Sequence, residues 1–493
     1  MSTFHIITLG CQMNYSDSAR IKAVLLNCGF SYSETKENAD IIIFDTCSVR
    51  QKSEDKITGK LQDIPPEKKI RLTGCMVQHN LKSSPLTTKV SWSGQGGKGG
   101  SNNKLSKWNF LWTSDKIFWN SPEKSSEIFP INEAFNPLFH KLHQTYPNLE
   151  LFFRIDDVGN LPLILEKIWY KNLTYDQDLV NEYEKIIPHD NPSMNAHQSS
   201  AYIPISTGCN QFCAYCIVPF ARGLERHFPL EHILHETKTH LQNGAKEITL
   251  LGQIVNKHPN FVQIVKEILK LEGLERLRYT SPYPTYYSPE LLELHEKEPK
   301  LCPHIHIPFQ SGSSPILKKM FRGYTAEECY TFIDQIRKLK RNISITTDMI
   351  IGFPGETDED FAESLKLVDY GKFDMIYMGI YSPRPGTFAD KQYPNNIPYS
   401  IKHARRKQMN ELLKQISKTN NEKEIWTSRT MLINEILEDW TLTGYTDNMK
   451  QIIVTPPPFE GGIKGGSNKY FIWNIIPIQI TGAGEFKLKG EIE

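Results

Sequence analysis

The stretch GCNQFCAYC, residues 208–216, holds three thiols, Cys209, Cys213 and Cys216, in the spacing Cys-x3-Cys-x2-Cys. It follows the apolar run AYIPIST at 201–207, so the thiols fall where a strand gives way to a loop. Downstream, KEITLLGQ, RLRYTS, HIHIPFQSG, ISITTDMIIGF and FDMIYMGIYS repeat the strand pattern, with amphipathic stretches such as PLEHILHETKTHLQNG and DEDFAESLKLVDYG between them. Six strands alternating with helices predict a partial or full (β/α) barrel over 196–425, whose chemistry sits at the carboxyl ends of the strands. The segments GCNQFCAYC, LGQ, SPYP, QSGS, GFPGET and SPRPGT all fall at such ends.

A shorter alternation precedes it. FHIITLGC, ADIIIFDTC and KIRLTGC are apolar strands that each run straight into a cysteine, Cys11, Cys47 and Cys75, which are 36 and 28 residues apart. In an open parallel α/β sheet those strand ends line one crevice, so distant thiols can converge there. This Rossmann-like α/β domain is expected over 1–82 and 141–190, resuming at PNLELFFRIDDVGNLPLILEKI. The intervening residues 83–140, rich in Ser, Gly and Lys and without sustained period, read as a low-complexity insertion expected to be disordered and exposed. The string KGGSN recurs in VTPPPFEGGIKGGSNKYFIWN, a second insertion at about 455–468, inside a region of short strands over 427–493 that fits a small β-barrel.

Composition narrows the class. With 493 residues and 39% hydrophobic content the chain can bury more than one core, and 57 basic against 56 acidic residues give no global surplus for nucleic acid. Basic runs at 336–341 (IRKLKR) and 403–408 (HARRKQ) are candidate phosphate contacts or solvated helix faces. MSTFHIITLG lacks the features of a secretory signal, and no run approaches the ~20 apolar residues that cross a bilayer. The expected compartment is cytoplasmic. Nine cysteines, an odd number, then favour metal ligation or redox chemistry over a disulfide framework.

A structural zinc wants four ligands, and no further Cys or His lies near the 209–216 triplet. A cubane iron–sulfur cluster held by three thiolates leaves one iron open to another ligand. On the residues alone, zinc completed from afar and plain buried thiols stay open beside the cluster. For Cys11, Cys47 and Cys75, ligation and ordinary burial both remain open. Cys28, Cys302 and Cys329 have no partner spacing and read as filling.

The triplet with Tyr215 before its last cysteine resembles the radical S-adenosylmethionine superfamily. GCQMNYSDS, DTCSVRQKSEDKI, CAYCIVPFARGLER, EITLLGQIVN, HIHIPFQSGS, FRGYT, DMIIGFPGET and YSPRPGT are similar, in order, to the hallmark segments of its methylthiotransferases. The likeness is nearest to the branch acting on isopentenylated adenosine in tRNA. It implies a radical-generating 4Fe–4S cluster on Cys209, Cys213 and Cys216, and an auxiliary 4Fe–4S cluster on Cys11, Cys47 and Cys75. It further implies S-adenosylmethionine as radical source and methyl donor, with contacts from Tyr215, Gly252, Gln253 and Gly352. The implied reaction adds a methylthio group to C2 of N6-dimethylallyladenosine at position 37, with tRNA, a reductant and a sulfur source as partners of a monomeric enzyme. No separate catalytic side chain is implied. The C-terminal β-region resembles the TRAM module used on RNA.

Departures from the family pattern are Asp45 and Ile254 where asparagine is usual, His227-Phe228 for Ser-Arg, and Ser281 to Pro284 for a TSHP-like segment. Sister enzymes acting on threonylcarbamoyl-adenosine or a ribosomal aspartate are the nearest alternatives. A zinc-dependent RNA-binding protein without activity is the alternative of another class.

Overall fold

Fully buried strands decide the first unit. In the computed structural model, IIIFDT (41–46) is buried at every position, which is why its first four residues read as an unbroken apolar run rather than an alternation. This unit contains β1 (Thr3–Leu9), β2 (Ser31–Tyr32), β3 (Ile41–Thr46), β4 (Lys69–Gly74), β5 (Asn109–Thr113), β6 (Ile117–Asn120), β7 (Ile128–Phe129) and β8 (Leu149–Phe152). They form one sheet of order β2-β1-β3-β4-β8-β5-β6-β7. β2, β1, β3, β4 and β8 are parallel, and β5, β6 and β7 are antiparallel. The helix Gln12–Asn27 and the short helix Cys75–Asn80 follow β1 and β4.

The structure describes residues 2–47, 57, 59–80, 109–113, 117–120, 128–129, 142, 144–153, 155, 158, 161–162, 165, 199–438, 440–455 and 474–493. Of the segment 83–140, expected to be disordered, three strands are described and extend the sheet beyond β8; the rest lies outside the described residues. The insertion at about 455–468 lies outside them apart from its first residue. Two compact units divide the chain, residues 1–191 with 220–222, and residues 192–219 with 223–493.

The second unit begins with β9 (Ser200–Pro204), β10 (Ser206–Thr207), β11 (Arg226–His227), β12 (Glu247–Leu251) and β13 (Arg276–Tyr279). It continues with β14 (His304–His306), β15 (Ser344–Ile351) and β16 (Met375–Ile380). The parallel sheets β13-β12-β9 and β14-β15-β16 contain the six strands the sequence predicts, in the order of a partial (β/α)6 barrel. Alternation sorts their faces: Ile305, Ile345 and Ile351 join the core under the helices, and His304, His306, Thr346 and Asp348 take the other face. The helices Ala326–Arg337 and Asp358–Gly371 start at Thr325 and Thr357, whose side chains form capping boxes with Glu328 and Asp360.

After the helix Tyr399–Glu422, β17 (Ser428–Ile436), β18 (Leu442–Thr446), β19 (Gln451–Val454), β20 (Ile475–Ala483) and β21 (Lys487–Ile492) close into a barrel of order β17-β18-β19-β21-β20. Closure removes the free strand edges and buries Met431, Ile433, Ile452, Val454, Ile478, Ile480 and Leu488. It is joined to the six-stranded barrel by buried polar contacts. Arg276 Nη2 donates to Thr430 Oγ1 at 2.6 Å, Arg278 Nη2 to Thr446 O at 2.9 Å, and Lys450 Nζ lies 2.8 Å from Asp374 Oδ1.

The basic runs are partly engaged inside this unit. Arg337 donates to the carbonyls of Ile343 and Gly371, Arg341 to those of His295, Glu298 and Leu301, and Arg405 pairs with Glu356 and Asp358. Cys28, Cys302 and Cys329 are buried and free, as filling residues would be.

Candidate metal centres

The loop after β9 is pinned at both ends by the antiparallel pair β10–β11. Gly208 begins it at φ +71°, and a Cβ there would stand 2.1 Å from Leu224 O, so only glycine fits the turn. Cys209 N donates to Gly223 O at 3.2 Å and Cys216 N to Cys213 O at 2.9 Å. Ala214 N donates to Met320 O, and Ala214 O accepts from Ala389 N, which seats the loop on two neighbouring segments. Phe212 is held at φ +48°, a costly conformation for a bulky residue that the surrounding bonds impose.

The three thiols are close enough to influence one another's ionisation. Burial pushes Cys209 up to about 11 and Cys216 up to about 12, so without metal these sulfurs keep their protons, and ligation must expel them. All nine cysteines are free. Among the described residues no three His, Cys, Asp or Glu side chains converge tightly enough to hold a single metal ion. Three thiolates on one loop are a donor set that fits a 4Fe–4S cluster, in which each thiolate has its own iron.

Arg322 completes this loop's surroundings. Its Nη1 donates to Cys213 Sγ at 3.3 Å, its Nε to Tyr324 OH at 2.8 Å and its Nη2 to Pro308 O at 2.9 Å. The guanidinium carbon lies 4.6 Å from the Tyr283 ring centre and 5.1 Å from that of Tyr324. Tyr283 is fixed in turn, because its hydroxyl accepts from Gly323 N and Gln211 Nε2 while its backbone exchanges two hydrogen bonds with the Asn256 side chain.

In the first unit the register pairs Leu9 with Thr46 and Thr46 with Gly74, so three adjacent parallel strands end side by side. Cys11, Cys47 and Cys75 follow those ends. Cys11 is exposed, and Cys47 and Cys75 are buried. Burial drives Cys75 up to about 12, with Arg222 opposing and Cys47 and Cys11 adding to the rise. Asn14 Oδ1 accepts from Cys11 N at 3.2 Å, and Asn14 Nδ2 donates to Asp45 Oδ1 at 2.9 Å. Ser18 Oγ donates to Asp45 Oδ2 at 3.0 Å. Arg222, in residues that pack with this unit, donates from Nε to Cys75 Sγ at 3.2 Å and from Nη2 to Asp17 Oδ2 at 2.6 Å.

Family models match in two places: the radical SAM superfamily over residues 203–368, and an uncharacterized protein family, UPF0004, over residues 3–90. The tRNA-2-methylthio-N(6)-dimethylallyladenosine synthase of Moorella thermoacetica is 33% identical over 505 residues, covering 99% of this chain and 98% of its own length. Synthases of the same name from Clostridium tetani, 33% identical over 99% of this chain and 96% of theirs, and Caldicellulosiruptor saccharolyticus, 31% over 99% and 92%, agree. The chain belongs to the tRNA-2-methylthio-N(6)-dimethylallyladenosine synthase family. As a radical SAM chain it belongs to a superfamily built around a 4Fe–4S cluster and S-adenosylmethionine.

The synthase-family residues expected to touch S-adenosylmethionine lie at strand ends, with individual roles in the packing. Tyr215 meets Phe353 edge to face with ring centres 6.4 Å apart. A side chain at Gly252 would meet Ser206 Oγ at 2.5 Å, and Gln253 is half-buried on the same loop. Gly352 has φ +74°, and the stem of Lys402 fills the space beside it, 2.4 Å from where a Cβ would be.

The departures are absorbed structurally. Ile254 is buried in the barrel core, and Asp45 is the fully buried acceptor of Asn14 and Ser18. His227 packs edge to face on His258, which bonds the Phe228 carbonyl. Ser281 turns at φ +54° and delivers Tyr283 beneath Arg322. Arg222, Arg322, Tyr283 and Asn256 were not singled out by sequence reading. Arg222 and Arg322 lie in the quoted segments CAYCIVPFARGLER and FRGYT but reach thiols 147 and 109 residues away, and the resemblance assigned them no contact to a cysteine.

Proposed function

We propose that this chain adds a methylthio group to C2 of N6-dimethylallyladenosine at position 37 of tRNA. The observation that carries the reading is the full-length relation to synthases of that name. In this reading Cys209, Cys213 and Cys216 hold the radical-generating 4Fe–4S cluster, and Cys11, Cys47 and Cys75 an auxiliary one. The packing of each trio at strand ends supports the assignment. S-adenosylmethionine serves as radical source and methyl donor, with Tyr215, Gly252, Gln253 and Gly352 along its path.

When bound, cluster and S-adenosylmethionine supply a carbon radical able to take hydrogen from C2–H, a bond no side-chain base can deprotonate at neutral pH. The chain supplies placement. Near-complete burial of Cys209 and Cys213 keeps water from the radical source, and exposed Cys11 leaves the second trio accessible to substrate. No helix among the described residues is long and apolar enough to cross a membrane. In this reading the enzyme is a cytoplasmic monomer that works on tRNA with a reductant and a sulfur source. The closed C-terminal barrel exposes Trp440 and Tyr445, rings suited to stacking on unpaired bases.

Anaerobic reconstitution with iron and sulfide counting tests the reading, for the wild type and a Cys209→Ala, Cys213→Ala, Cys216→Ala variant. About eight irons falling to about four supports two cubane clusters. Isopentenylated tRNA should then gain one methylthio group by mass. Gain on threonylcarbamoyl-adenosine or on a ribosomal aspartate instead would move the chain to a sister activity. Zinc with little iron would replace the enzyme by a metal-dependent RNA-binding protein.

A further inference from the structure

We infer that Arg322 sets the reduction potential of the centre held by Cys209, Cys213 and Cys216, through a fixed guanidinium hydrogen bond to the Cys213 sulfur. The inference rests on the assignment of that trio under Proposed function and adds a positioning residue to it.

The geometry leaves Arg322 little freedom. Three of its nitrogens donate to separate acceptors, Tyr324 OH, Pro308 O and Cys213 Sγ, and its plane lies near two tyrosine rings. A planar fork held on fixed oxygens aims its remaining N–H with little entropy left to lose. Tyr283 is itself locked by Asn256, Gly323 and Gln211, so the stack is braced from the strand-end side as well. Gln211 lies inside the cysteine loop, which ties the brace to the ligands it serves.

Charge decides the direction. Reduction adds one negative charge to a centre whose sulfurs already carry negative charge in a water-poor site. A guanidinium N–H on a ligand sulfur stabilises the reduced form more than the oxidised one, and hydrogen bonds to cluster sulfurs are an established lever on potential. Arg322 therefore raises the potential and eases electron entry. A brace that only shaped the loop would leave the potential unchanged once iron is bound.

The test is an EPR-monitored redox titration of the reconstituted full chain without S-adenosylmethionine or tRNA. Cys11→Ala, Cys47→Ala and Cys75→Ala are present throughout, so that one centre is read. Arg322→Met removes donor and charge, and the equilibrium constant for reduction should fall about tenfold, a midpoint lower by about 59 mV for one electron. Arg322→Lys keeps the charge without the fork and should fall between the two. An unchanged midpoint in Arg322→Met with iron retained overturns the inference. If Arg322→Met holds no iron, Arg322→Lys and Tyr324→Phe, which frees Nε, decide by the same readout, and unchanged midpoints in both overturn it. A parent chain that binds no iron overturns the assignment of the trio instead, so the two failures are separable.

Discussion

Arg222 Nε donates to Cys75 Sγ at 3.2 Å, and the same guanidinium lies 2.6 Å from Asp17 Oδ2. The arrangement parallels Arg322 and Cys213: in each cysteine trio one sulfur receives an N–H from an arginine anchored by a second acceptor. A guanidinium beside a buried sulfur offsets the cost of burying its charge when the thiol becomes a thiolate.

Asp17 is the anchor that makes Arg222 tolerable inside, since both groups are largely buried. Removing one partner of such a pair leaves the other charge uncompensated. Arg222→Leu should therefore destabilise the metal-free chain by about 3 kcal/mol, and adding Asp17→Asn should recover part of that loss. Urea unfolding of the single and double variants measures both. Equal midpoints for Arg222→Leu and wild type would mean the pair contributes nothing.

Gly208 has no room for a side chain, because a Cβ would meet the Leu224 carbonyl and φ is +71°. Gly208→Ala must shift the loop start, and Cys209 with it. Reconstituted chains should lose about four irons while those of the other trio stay. Full iron retention would show that the loop tolerates the shift.

What the sequence made legible was whatever covalent order dictates. A strand followed at once by a cysteine places Cys47 and Cys75 at the end of β3 and β4, and the parallel register aligns them. The six barrel strands were legible from apolar runs for the same reason. Arg322, Arg222 and Tyr283 were not, because their meaning lies in contacts across a hundred residues or more, or, for Tyr283, in a turn at Ser281 that only the folded chain reveals. Strands β5 to β7 were missed because segments of two to five residues carry too few positions to establish a period.

Glu247 lies between two arginines, 3.0 Å from Arg278 Nε and 3.3 Å from Arg276 Nη1, all three nearly free of solvent. The same arginines reach Thr430 and Thr446 of the closed barrel. Glu247→Gln would remove the carboxylate that two buried arginines share, at a cost of about 3–5 kcal/mol. Hydrogen exchange should show β17 and β18 losing protection along with β12 and β13. Loss confined to β12 and β13 would mean that the contacts do not couple the barrels.

His295 governs part of the acid response. Its Nε2 shares a 2.5 Å hydrogen bond with Tyr279 OH, and burial, helped by nearby Arg341, holds its imidazole down at about 3. The unfolded chain takes up this proton near pH 6.5, whereas the folded chain refuses it until about 3. Between those values the unfolded state binds more protons, so stability is intact above pH 6.5 and falls as pH drops toward 3. One proton corresponds to about 1.4 kcal/mol per pH unit at the limit. His304, half-buried and held low by desolvation as well, adds in the same direction. His295→Gln keeps a polar partner for Tyr279, which also bonds Tyr287, and removes the titration. Urea midpoints of wild type and variant should diverge from pH 7 to pH 4.5, the wild type losing up to about 2–3 kcal/mol more. Parallel curves would mean that His295 becomes protonated in the folded chain, with the Tyr279 hydrogen bond surviving the charge.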